Sequence, residues 1–264
     1  MFKAMAWGGL ALGMACASAH AAVDAQLFDP PLRKQTLPLP PDPLNPQTKP
    51  TLSCFYYPHL MVKQVDLGEK GAAQLSVLLV PSGQGQPACR RENATDETVI
   101  AGWSGYFRGV RAGYVFLDGD DGWNGGGRFA VFGPYTRRIV FNDVAAQLHA
   151  VEVIRLSQPH DQRPSYENLL ALRYRRVYQA PCSLRANARQ CWSLIRRATG
   201  LTQVTGPDCS ASYLAQEKHA PPGRLAEVRA DPSVIEYDVE TVLDSQGVIR
   251  LVPVSSALVC RAAE

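Results

Sequence analysis

Six cysteines downstream of an export leader constrain this chain more than any other feature. Residues 1–22 read as a secretory signal peptide: Lys3 is the only charge, an apolar run follows to Ala17, and Ala19-His20-Ala21 offers a small-residue cleavage site before Ala22. The apolar run is short and glycine-rich, and no stop-transfer charge follows, so the expectation is export rather than anchoring. Cys16 lies within the leader, and Gly13 stands where a lipoprotein signal wants leucine. Removal of the leader leaves Cys54, Cys89, Cys182, Cys191, Cys209 and Cys260. An even number in an oxidising compartment implies a disulfide framework. Six cysteines allow 15 connectivities; nearness in sequence favours Cys54 with Cys89 and leaves four to pair among themselves, with Cys182–Cys191 and Cys209–Cys260 taken as the working arrangement. There is no CxxC, so neither thioredoxin-like redox chemistry nor a zinc ribbon is indicated. Arginines outnumber lysines, 21 to 6, which suits a GC-rich bacterial genome and so the periplasm; secretion is the alternative.

Between Pro30 and Pro50 there are eight prolines in 21 residues. Proline lacks a donor and fixes φ, so residues 23–50 read as an extended tether, with the folded part beginning near Thr51. From there the texture is β. Residues 74–80, 99–107, 113–117, 128–132, 138–141, 149–156, 170–178, 234–243 and 248–254 are apolar or alternating runs between turn formers. Asp244-Ser245-Gln246-Gly247 joins the last two as a hairpin. Residues 185–199 have helical spacing, with Ala188, Cys191, Trp192, Ile195 and Ala198 on one face and Gly200 as a C-cap. A second short helix is expected over 211–219. The fold class expected is mainly β (α+β): a disulfide-stapled antiparallel sheet or sandwich, a single domain over 51–264 with a helix-containing subregion at 180–222.

No apolar run reaches the roughly 20 residues of a membrane span, so the mature chain is expected to have no transmembrane segment. A net charge of +3 is too small to point to nucleic acid, and no basic motif interleaved with aromatics appears. Signatures of catalysis are missing. His59, His149, His160 and His219 form no HExxH or HxH pair. Gly102-Trp103-Ser104-Gly105-Tyr106 lacks the final glycine of a nucleophile elbow. Cysteine nucleophiles are excluded if all six are oxidised. The expectation is a protein that is not an enzyme. Carboxylates distant in the chain leave a cell-wall or polysaccharide hydrolase as the alternative, and a structural envelope component as a third.

Two features point to binding. The stretch 118–127 places Asp118, Asp120, Asp121 and Asn124 among glycines, a set of hard oxygens that suits Ca²⁺. An EF-hand would need Asp or Asn at 122 and Glu at 129, where Gly122 and Phe129 stand. The plain alternative is a flexible β–β loop of turn formers. Trp123 sits among polar and glycine neighbours with no evident core face. It is either an anchor for a partner or sugar ring, or a lid folded back on the sheet. Ser104 and Tyr106 join it as candidate contact residues.

The second feature is charge asymmetry. No acid lies between Glu167 and Asp208, while Arg173, Arg175, Arg176, Arg185, Arg189, Arg196 and Arg197 do. Arginine suits carboxylate and phosphate, so Arg173, Arg175 and Arg176 are candidates for an anionic partner. The segment 227–244 is instead acidic and offers an internal partner for the same charges.

No known family is evident over the whole chain. The strand, Asp/Gly loop and strand of 113–141 resemble the β-rich periplasmic inhibitors of invertebrate-type lysozymes and related immunity proteins. Those inhibitors present a Ser-Gly…Tyr loop to the enzyme cleft; here Tyr106 follows Ser104-Gly105 at once, a different spacing. The resemblance implies a non-catalytic exported protein that grips another envelope protein or a wall-derived ligand.

Overall fold

Strands form where β-branched and aromatic side chains run between turn formers, and antiparallel pairing joins them into two sheets. The computed structural model describes residues 27–41, 43–154, 168–254 and 257–263; the leader and Cys16 lie outside them. Sheet one is a meander of β1 (Arg33–Pro38), β2 (Thr51–Tyr56), β3 (Leu60–Asp66), β4 (Gln74–Leu79) and β5 (Thr98–Val99). Sheet two runs β6 (Gly105–Arg111), β7 (Tyr114–Trp123), β8 (Gly126–Gly133), β9 (Arg138–Ile154), β10 (Leu169–Gln179), β11 (Ser233–Asp244) and β12 (Gly247–Pro253). β13 (Val259–Ala262) pairs with the other half of β11. Helices α1 (Ala188–Thr199), α2 (Ser210–His219) and α3 (Leu225–Ala230) lie between β10 and β11. The fold is thus mainly β and antiparallel, with three short helices.

Period-2 alternation sorts the side chains into layers. Val115, Leu117, Ala130 and Phe132 of sheet two meet Leu60, Val62, Leu75 and Val77 of sheet one. Their neighbours Phe116, Phe129 and Val131 point the other way, into a second core with Leu172, Tyr174, Tyr237, Trp192, Ile195 and Tyr213. Helices therefore cover one face of sheet two, and sheet one covers part of the opposite face. The outer face of sheet one holds a third cluster, Leu52, Cys54, Tyr56, Met61 and Val65. The segment after β4 covers it. Cys54–Cys89 fastens that cover, and Lys63, 1% exposed, donates to Asn93 Oδ1 (2.9 Å) and Glu97 Oε2 (3.0 Å) within it. Cys182–Cys191 and Cys209–Cys260 fasten the helices, giving the pairing expected from nearness in sequence.

The start of the folded part needs correction. The stretch read as a tether contributes Leu27 and Phe28 to the core and β1 to the edge of sheet one. The prolines cluster at 30–31 and 38–50 and spare 32–37. Pro38 closes an edge strand, where a missing N–H is tolerated. Two further boundaries differ. Residues 99–107 split around a turn at Ala101-Gly102, with Gly102 at φ 73°. Residues 138–141 and 149–154 belong to one 17-residue strand, whose irregular register absorbs the polar residues between them.

Candidate functional site

Residues 118–127 form a hairpin rather than a loop. Strand β7 continues to Trp123, and Asn124-Gly125 turns the chain with φ of 50° and 71°, the two positive values of a type I′ turn. A bulge displaces the register between Asp118 and Gly122, and it sends the three carboxylates to different partners. Asp118 takes Arg108 (3.0 Å), Asp120 accepts from Ser104 Oγ (3.1 Å), and Asp121 pairs with Lys70. Asn124 donates to Gln179 (3.3 Å). The four expected Ca²⁺ ligands are not gathered round one point. Among the described residues no three His, Cys, Asp or Glu side chains come together to hold a metal.

Trp123 is 62% exposed at the tip of this hairpin. The turn is held from below: the Arg261 guanidinium donates to the Asn124 carbonyl and lies where a side chain on Gly125 would have to go. Beside the tip is a cleft of about 550 Å³. Its floor is Gly126, Val144 and Val177, packed so closely that a Cβ on Gly126 would come within 2.8 Å of both valines. Its rim carries Trp123, Arg128, Gln179 and Asp121. By strand parity the cleft opens on the part of sheet two that sheet one leaves uncovered. An indole face, a guanidinium and an amide around an apolar floor can hold a ring or an aromatic side chain and hydrogen-bond its edge.

The other expected contact residues are elsewhere or already engaged. Ser104 holds Asp120, and the Tyr106 hydroxyl accepts from Gly71 N (2.9 Å) and donates to Glu69 O (3.3 Å). Ser104 thus ties the entry of β6 to β7, and Tyr106 ties β6 to the connection between β3 and β4. Arg173, Arg175 and Arg176 spend their charge inside the fold. β10 and β11 pair so that Arg173 faces Glu240 and Arg175 faces Asp238. Arg175 Nε lies 3.0 Å from Glu236, and Arg173 Nε 3.4 Å from Glu240. Arg176 lies 2.9 Å from Asp143, which also accepts from the Tyr174 hydroxyl at 2.5 Å. Burial first, and then the Asp143 charge, push the Tyr174 phenol far above its usual range, so it stays a donor. Burial pushes the Glu236 carboxyl up, but Arg261 and Arg175 outweigh it and hold the group below the ordinary glutamate value.

The structure also forms a cleft that the sequence analysis missed. Turns at one end of the two sheets, Tyr57-Pro58-His59 and Pro134-Tyr135-Thr136, meet Pro30 and Tyr114 around about 490 Å³. Burial and the Asp29 carboxylate push the Tyr57 phenol up to about 12. Tyr-Pro and Pro-Tyr pairs were its only sequence signal, and alone they mark ordinary turns. No family model matches the chain, and no curated protein or solved structure matches it either. The likeness of 113–141 to lysozyme inhibitors therefore rests on its residue pattern.

Proposed function

We propose that this is a non-catalytic binding protein of the bacterial periplasm that grips an envelope partner with the Trp123 hairpin. An inhibitor of, or immunity protein against, a wall-lytic enzyme is its most concrete form. The observation that carries the reading is a large aromatic side chain left in solvent at the tip of a turn braced by Arg261. Leaving a tryptophan exposed forgoes about 1.5–3 kcal/mol of burial, the scale for a large apolar side chain, and a binding partner recovers it. The three disulfides fit an oxidising compartment. No described helix is long and apolar enough to cross a membrane. Against the hydrolase, one carboxylate among the described residues lines each of the Trp123 cleft and the end cleft, Asp121 and Asp29.

The test uses the leaderless, oxidised protein in a peptidoglycan-lysis assay with envelope lytic enzymes, together with pull-down from envelope extract. Wild type is expected to slow lysis and retain a specific partner, and Trp123→Ala to lose both with its thermal midpoint unchanged. Equal inhibition and equal recovery by the variant would remove the hairpin from the interface. Lysis by the purified protein itself would restore the hydrolase.

A further inference from the structure

Four of the seven arginines between Glu167 and Asp208 have carboxylate partners: Arg173, Arg175, Arg176 and Arg185. Arg189, Arg196 and Arg197 have none among the described residues. Arg196 and Arg197 each use only Nε, on the carbonyls of Leu201 (3.3 Å) and Ser193 (3.4 Å). Arg189, Ser193 and Arg196 follow one another at i, i+4 and i+7 of α1, so they share one exposed face. That face is one wall of a cleft of about 630 Å³, and the segment 204–210 is the other.

Both walls are fixed. Cys182–Cys191 anchors α1, and Cys209–Cys260 anchors the facing segment to β13. The base is Trp192, whose indole N–H donates to Gln203 O at 3.0 Å. Gly206 lies flat against that ring; a Cβ there would come within 3.0 Å of it. One acid lines the cleft, Asp208, whose Oδ1 accepts from the Ser210 amide at 2.8 Å; the arginines on the facing wall outnumber it. The result is a rigid pocket with an apolar base, guanidinium groups on one wall, and excess positive charge.

We propose that this cleft binds a phosphomonoester. Such a group carries about −1.5 to −2 charges and three acceptor oxygens, enough to engage two guanidinium forks at once, which a single carboxylate cannot do as well. The site is separate from the Trp123 hairpin and does not depend on it. The phosphate can be free, as in a sugar phosphate, or borne by a lipid.

The test is calorimetry with glucose 1-phosphate against glucose, and flotation with phosphatidylcholine vesicles with and without phosphatidic acid. Wild type is expected to bind the phosphate ester and not glucose. Arg189→Ala/Arg196→Ala should weaken binding by roughly tenfold or more, the worth of a charge-assisted hydrogen bond. Ser193→Asp, an exposed change that places an anion in the same wall, should do likewise if the double variant folds poorly. Arg90→Ala/Arg91→Ala, exposed arginines outside the cleft, should leave binding unchanged. Binding only to phosphatidic acid vesicles, lost in the same two variants, identifies a lipid-borne phosphate. No binding in either arm, or equal loss in the Arg90/Arg91 control, overturns the proposal.

Discussion

Glu236 on β11 accepts from Arg175 on β10 and from Arg261 on β13, the strands paired to its two edges, so one carboxylate ties three strands together. Because its folded-state pKa is depressed, it stabilises the fold above the ordinary glutamate pKa, and that stability is lost as pH falls through the folded value. Unfolding monitored by circular dichroism should therefore show a loss of stability that begins below about pH 4.3. Glu236→Gln should lower stability at neutral pH and flatten that acid limb. An unchanged acid limb would show that other carboxylates govern it. The arginine-rich and acidic segments were both legible as residue lists. That they face each other was not, because pairing depends on the register of two strands about 60 residues apart. Among the described residues, Arg189, Arg196 and Arg197 are the members of that group without a carboxylate partner.

At the level of elements, the strand-forming runs were legible because alternation and turn chemistry act over a few residues. The exceptions have local physical causes. The Asp/Gly stretch was read as a loop from its composition. It forms a hairpin because Asn124-Gly125 favours a type I′ turn and two of its three aspartates, Asp118 and Asp121, are neutralised by Arg108 and Lys70 while Asp120 accepts from Ser104. The proline-rich N-terminal region was read as a tether because proline dominates its average, yet six residues within it pair with β2. Phe28 is the energetic anchor of that region. Its ring packs 5.1 Å from Phe116 and occupies the space a side chain on Gly109 would need. Phe28→Ala should destabilise the protein by about 3–5 kcal/mol in urea denaturation, as for other buried phenylalanines. A change within error would mean that the segment before β1 adds nothing to stability and that the ordered N-terminal region begins, energetically, at β1.

Across the whole molecule, two sheets and a helical layer are each fastened by a disulfide at a place where a covering segment meets a sheet or helix. In the chain-entropy account the loss on removing each bond follows the length of chain it closes. The separations are 51, 35 and 9 residues for Cys209–Cys260, Cys54–Cys89 and Cys182–Cys191. Paired alanine substitutions should therefore cost about 4 kcal/mol for each of the first two and about 2.5 kcal/mol for the third. The reverse order in chemical denaturation would show that native packing, not the unfolded chain, sets their worth. From its own residues the chain determined the number of cross-links, the β texture and the helix ending at Gly200, because these follow from composition and from neighbours a few positions away. Tertiary structure alone decided which charges cancel, which carboxylates part company, and where the clefts open. Those outcomes depend on contacts between residues far apart in sequence, which exist only once strands are in register and layers are stacked.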